Sequence, residues 1–213
     1  MKGDNRFKIN KALKILLVFI FLFSNGIMAQ VKTRSVKKQP NILFLLTDDH
    51  RFDGINALGN TEVFTPNMDK LVNQGTSFTH AHIMGSNSGA VCMPSRAMIM
   101  TSKYISNLSH KVKGSIAEED LTLPQLLKNA GYHTWGTGKW HNAAPSFAKS
   151  FSDGHNIFMG GMSNHLKVPL HNYNPSGQYN KKDAYFENKF SSVLFSDAAV
   201  EELETYKEEK PFF

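Results

Sequence analysis

Three short groups of residues carry the types and spacings that chemistry needs. In Cys92-Met93-Pro94-Ser95-Arg96 a sulfur nucleophile stands four residues before a guanidinium. A Gly/Ser/Asn loop precedes it, and Pro94 is suited to open a helix. Helix N-termini present free N–H groups and favour anions. The planar arginine adds a fixed cation for an oxyanion such as sulfate or phosphate. Taken alone, a cysteine at a helix start also fits a buried structural thiol. In Gly138-Lys139-Trp140-His141 a cation and an imidazole stand two residues apart at the end of an apolar stretch. By themselves they also fit surface residues. In Asp48-Asp49 two adjacent carboxylates follow an apolar run. Adjacent carboxylates repel unless a cation lies between them, and a hard divalent ion takes such oxygen ligands. The alternative is a solvated turn with a helix-capping aspartate.

The elements that must position these groups can be read from the pattern. Pro40 opens the run Asn41 to Thr47, which suits a strand buried on both faces of a parallel sheet. Asp48 and Asp49 then stand at its carboxyl end, where ligands gather in open α/β sheets. Thr65-Pro66 starts a helix with Met68, Leu71 and Val72 as its stripe and Gly75 as its stop. Thr76 to Ile83 alternates like a strand, and Met84 to Val91 is a loop. A helix runs from Pro94 through Met100, and another runs from Leu123 to Gly131. Tyr132 to Thr137 is a strand. Pro145 to Tyr179, rich in Gly, Asn, Ser and His, reads as a long irregular insert. Ser196 to Lys207 reads as a helix with Ala199, Val200 and Leu203 on its packed side. The alternation predicts an α/β fold with a mostly parallel sheet flanked by helices. No internal repeat is present.

Taken together, the three groups and their order resemble the formylglycine-dependent type I sulfatases of the alkaline-phosphatase-like superfamily. Cys92-Met93-Pro94-Ser95-Arg96, followed by Ala97 to Lys103, is similar to the family's signature, which usually carries Gly-Arg where this chain has Ser102-Lys103. Gly138-Lys139-Trp140-His141 is similar to its second signature. Residues 60–75 resemble its first helix, and the resemblance runs from Pro40 to Phe213. It implies that a maturation enzyme oxidises Cys92 to formylglycine. The hydrated aldehyde then offers one hydroxyl to attack sulfur and a second to collapse the sulfated product. It implies that Asp48, Asp49 and the modified Cys92 bind one calcium ion. It also implies that Arg96, Lys139 and His141 act on the sulfate and the formylglycine hydroxyls. His165, after Gly160-Gly161-Met162-Ser163-Asn164, is a candidate substrate contact. The implied substrate is a sulfated small molecule or glycan. Phosphodiesterase or phosphonate hydrolase activity on the same scaffold is the alternative reading, and an inactive remnant that binds sulfated glycans is another.

Composition narrows the classes further. The chain carries a formal net charge of +6, but its first 40 residues hold nine basic residues and one acidic. Residues 41–213 are therefore mildly acidic, and no nucleic-acid footprint is expected. Residues 1–29 read as a signal peptide, with a basic start, the nine apolar residues Ile15 to Phe23 and small Ala29 before cleavage. Such a run falls well short of the roughly 20 residues that span a bilayer. Export to the periplasm or outside, without a stable membrane anchor, is the expectation. Residues 30–39 read as a flexible lead-in and 40–213 as the N-terminal part of a catalytic domain. An apolar run opens at Pro211-Phe212-Phe213, which reads as a domain cut before completion. Alone, the 213 residues are expected to be inactive. Cys92 is the only cysteine, so no internal disulfide forms.

Overall fold

The computed structural model describes residues 38–82, 91–108 and 114–213. The segment expected as a signal peptide, most of the expected lead-in and nearly all of the expected 84–91 loop lie outside these residues. Pro40 to Phe213 forms one compact unit.

The centre of the unit is a parallel pair, β1 (Trp135–Lys139) and β2 (Asp153–Phe158). Parallel neighbours need a crossover, and here it contains the helix Ala144–Ser150. Gly136 and Gly154 sit in register across the pair. A Cβ at Gly136 would lie 2.9 Å from the Phe147 ring, and one at Gly154 would lie 2.4 Å from the Gly136 carbonyl oxygen. These two glycines let the crossover helix press Phe147 and Phe151 onto the strands. Trp140 meets both rings edge-on, at 5.5 and 5.7 Å. Ala97, Met100, Leu108, Ile116 and Ile157 complete this core. The irregular insert expected over Pro145 to Tyr179 is thus corrected. Its first part is a helix and a strand, because Phe147, Phe151, Ile157 and Phe158 are apolar anchors among its polar residues.

The sheet extends beyond the pair on both sides. His133 pairs in parallel with Phe212, and Ile42 N–H donates to the Phe212 carbonyl at 2.9 Å. On the far side Ile157 pairs with His171, and Leu170 pairs with Tyr185. The expected strand Tyr132 to Thr137 is therefore β1, lying slightly later in the chain. The 41–47 run, expected as a doubly buried strand, is not one. Its one backbone bond to the sheet among the described residues comes from Ile42, Asn41 Oδ1 accepts from Phe212 N–H at 3.2 Å, and Leu43 and Leu45 are 59% and 68% exposed. Phe44 stacks on Phe213 with ring centroids 6.4 Å apart, and the rest of the run is largely uncovered among the described residues. Even so, its direction is set. Six residues lead from Ile42 to Asp48 and six from His133 to Lys139, so Asp48 reaches the carboxyl end of β1.

In chain order the helices are α1 (Pro66–Gln74), α2 (Cys92–Thr101), α3 (Leu123–Asn129), α4 (Ala144–Ser150) and α5 (Ser191–Thr205). Thr65 precedes α1, but its hydroxyl donates to Asp69 at 2.9 Å instead of capping the helix. Leu71, expected in a packed stripe, is exposed. No strand forms over 76–82, and Phe78 is exposed. Thr122 caps α3, and Gly131 follows its end at φ 94°. α5 begins five residues before the expected Ser196, because Val193, Leu194 and Phe195 join it. Its buried side is Ser191, Leu194 and Ala198, while Val200 and Leu203 face out. The packed face is chosen by β1 and β2, where Asn156 Nδ2 donates to the Leu194 carbonyl at 3.0 Å. No helix among the described residues is long and apolar enough to cross a membrane.

Ser102 ends α2 in the left-handed region at φ 57°. A non-glycine residue there costs about 1–2 kcal/mol. Lys103, beside it, pairs with the buried carboxylate of Asp120. The side chain at 102 is exposed and does no packing. Ser102→Gly is therefore expected to stabilise the protein by about 1 kcal/mol, net of the extra freedom of glycine in the unfolded chain. A denaturant midpoint that falls on this substitution would contradict that account.

Candidate active site

Cys92 is the first residue of α2, two positions earlier than expected. Pro94 consequently falls in the first turn, where its missing N–H leaves no helical bond unmade. Cys92 is half-buried, and Arg96 stands one turn on, on the same face. The helix is held by Ala97 and Met100 in the core. Its outward face carries the cysteine and the arginine together.

Arg96 spans two elements. Its Nη1 donates to the Lys139 carbonyl at 2.5 Å, and its Nη2 lies 3.6 Å from Asp48 Oδ1. Lys139 Nζ donates to Asp48 Oδ2 at 2.5 Å. The end of the first segment, the start of α2 and the end of β1 thus converge on one point. Burial alone would raise the Asp48 carboxyl, but the Lys139 hydrogen bond and charge, with Arg96, outweigh it. Its pKa is held below the ordinary carboxylate range.

Lys139 ends β1, and Trp140 and His141 follow it, His141 in the left-handed region. Trp140 turns into the core, where its indole N–H donates to Ser146 Oγ at 3.1 Å. Lys139 and His141 turn to the site. Burial lowers the His141 pKa, and the nearby Lys139 and Arg96 charges add to that, with Asp48 opposing. These effects together favour the neutral imidazole. Its buried Nδ1 has no hydrogen-bond partner among the described residues. His141 and Asp49 both adopt positive φ, 50° and 51°. Strained backbone of this kind concentrates where side chains must be aimed.

Asp49 is exposed and makes no ion pair among the described residues. The carboxylate oxygens of Asp48 and Asp49 have the hardness that calcium prefers, so their donor chemistry fits. The set is small, however. Among the described residues no cluster of three or more His, Cys, Asp or Glu could hold a metal, and calcium takes about 6–8 oxygen ligands.

The remaining histidines separate clearly. His165 bonds Ser191 Oγ at 2.7 Å and stacks on Phe190, and no contact links its side chain to Asp48, Arg96 or Lys139. His80 and His82 are exposed. His50 bonds the Gly54 carbonyl at 3.2 Å.

Sequence reasoning missed Asn142. Its Oδ1 accepts from Ser115 Oγ at 2.9 Å and Ile116 N–H at 3.0 Å, while Nδ2 reaches the Trp140 carbonyl at 3.3 Å and the Met93 carbonyl at 3.5 Å. This buried carboxamide ties the first turn of α2 to the end of β1. The only hint in sequence is a polar residue directly after Lys139-Trp140-His141.

The sulfatase family profile matches residues 40–213. The chain belongs to the sulfatase family. It is 31% identical over 182 residues to the N-acetylglucosamine-6-O-sulfatase of Bacteroides thetaiotaomicron, covering 82% of this chain and 29% of that relative. Human N-acetylgalactosamine-6-sulfatase is 32% identical over 116 residues, covering 48% of this chain and 22% of that protein. A solved protein in complex with its substrate D-glucosamine-2-N,6-O-disulfate superposes with a TM-score of 0.65 at 28% identity, covering 82% of this chain and 33% of that one. A structure from Bacteroides fragilis, 23% identical, shares the fold with a TM-score of 0.68, covering 84% of this chain and 44% of that one. The sulfatase chain described here thus spans less than half the length of each of these relatives. Its α/β architecture, a parallel sheet flanked by helices, is the N-terminal portion of theirs.

Proposed function

We propose that the protein hydrolyses sulfate monoesters of carbohydrates, with the side chain at position 92 as nucleophile after conversion of Cys92 to formylglycine. The observation that carries this reading is the convergence of Asp48, Arg96 and Lys139 from three elements onto one point, one helical turn from Cys92. When present, the formylglycine hydrate supplies one hydroxyl to attack sulfur and a second whose deprotonation releases sulfate. Arg96 and Lys139 offer cationic donors to the oxygens on which charge grows, the role in which fixed donors contribute most. Neutral His141 can hold and accept a proton at the position-92 hydroxyl. Asp48 and Asp49 would hold a calcium ion that orients the same oxygen and offsets sulfate charge. Export through the N-terminal signal sequence brings the chain to extracytoplasmic substrates.

The carbohydrate assignment is supported by the named substrates of relatives, a 6-sulfated N-acetylhexosamine in two cases and a disulfated glucosamine in a third. The test uses the full-length protein co-expressed with a formylglycine-generating enzyme. The peptide containing Cys92 is expected to be lighter than its thiol form by mass spectrometry. An aryl sulfate and a 6-O-sulfated hexosamine are expected to turn over, and an aryl phosphate is not. A thiol-only peptide with no sulfate release would end this reading, and preferred phosphate release would move it to phosphoester hydrolysis.

A further inference from the structure

We propose that Gly161 is a positioning residue for His141, kept free of a side chain so that the loop after β2 can close on the imidazole edge. The inference deepens the sulfatase reading and rests on it. A Cβ built at Gly161 would lie 2.4 Å from His141 Nε2 and 2.5 Å from Cε1. Real Cβ atoms do not approach that closely, so any side chain at 161 must displace the ring. Gly161 does not have positive φ, unlike Gly138 or Gly177. An alanine backbone is therefore allowed there, and what the position requires is clearance.

The topology makes this contact direct. β1 and β2 are parallel, and Lys139 pairs with Phe158. Two residues past β1 is His141, and three past β2 is Gly161. Both loops leave the same end of the sheet and meet there. His141 cannot escape by moving its backbone. Trp140 N–H is held by the Phe158 carbonyl at 2.8 Å, and Asn142 is fixed through Ser115 and Ile116. Only the side-chain torsions of His141 can yield. Its Nδ1 is already enclosed, so the ring sits in a slot with Gly161 as one wall. Gly160 serves a separate neighbour, since a Cβ there would lie 2.7 Å from the Phe158 ring. Met162, next in the loop, is 92% exposed.

The test is a double-mutant cycle in the full-length protein: wild type, G161A, H141A and the double variant, with M162A as control. Aryl sulfate kinetics and thermal unfolding are read for each. G161A is expected to lower kcat by about 10- to 100-fold, the cost of a misplacement near 1 Å, with KM within about twofold. In the H141A background the same substitution is expected to change nothing, because the ring it displaces is gone. M162A is expected to match wild type. A wild-type kcat for G161A overturns the proposal, as does a loss that multiplies with that of H141A. If G161A does not accumulate as folded protein, the double variant decides. Unfolding at the H141A midpoint supports the proposal, and equal failure of both overturns it. Should wild type release no sulfate, the sulfatase reading falls. The unfolding leg still tests whether Gly161 and His141 are coupled.

Discussion

Cys92→Ser is expected to reduce sulfate turnover by about 10⁴-fold or more, as loss of an essential nucleophile does. The substitution is mild in every other respect. Position 92 opens α2, where serine is readily accommodated, and the side chain is only half-buried. Ala97 and Met100 hold the helix in the core, and the fold is expected to be unchanged. Arg96, Lys139 and Asp48 keep their mutual contacts, so sulfate still binds. What is lost is the second hydroxyl. A serine can attack sulfur and expel the alcohol once, but its sulfate ester has no internal group to break the remaining bond. C92S should therefore release at most one equivalent of alcohol and retain sulfate on the peptide containing residue 92. Mass spectrometry after incubation with an aryl sulfate reads both events. Sustained turnover by C92S near the wild-type rate would remove the proposed nucleophile. The prediction also distinguishes the competing chemistries, because a metal-bound water attacking directly would not need a carbon bearing two hydroxyls.

The candidate site residues were picked out in the sequence by their resemblance to the family signatures, and part of their placement was legible from short-range geometry. A four-residue spacing puts Cys92 and Arg96 on one helical face, whereas His141 lies past the end of β1 in the left-handed region, so its direction could not be read from strand alternation. The convergence of the Asp48 carboxylate with Arg96 and Lys139 followed from strand direction. Burial was less legible, because it depends on what covers a segment. The run from Asn41 to Thr47 has the composition of a central strand, yet its contacts with the sheet are confined to Asn41, Ile42 and Phe44, all against Phe212 and Phe213. The α5 pattern allowed more than one packed face, and contact with β1 and β2 chose Leu194 and Ala198 over Val200 and Leu203. The α4–β2 unit was hidden because Gly, Ser, Asn and His outnumber its few aromatic anchors. The roles of Asn142 and Gly161 were not written locally at all. One depends on a hydroxyl 27 residues away, and the other depends on a ring brought in by the neighbouring strand.

Arg96→Lys is expected to lower kcat by about 10²–10³-fold while keeping the charge. The guanidinium is 11% exposed and works in two directions at once, toward the Lys139 carbonyl and toward the Asp48 carboxylate. Its two nitrogens are held in one plane, so seating one orients the other. A lysine ammonium is a single compact point and cannot occupy both places. If it takes the Asp48 side, the Lys139 carbonyl loses a partner at the turn that carries His141. If it takes the carbonyl, Asp48 is left to Lys139 alone, and the carboxylate can draw that ammonium away from sulfate. Either choice degrades two groups proposed to act on the sulfate, which is why the effect should exceed that of a lost surface ion pair. The accompanying destabilisation is expected to be about 1–3 kcal/mol, from one poorly satisfied polar group near the core. Steady-state kinetics and chemical denaturation of R96K measure the two quantities separately. Should kcat stay within a few fold of wild type while stability falls, Arg96 would be a brace between α2 and β1. The oxyanion role would then rest on Lys139 alone.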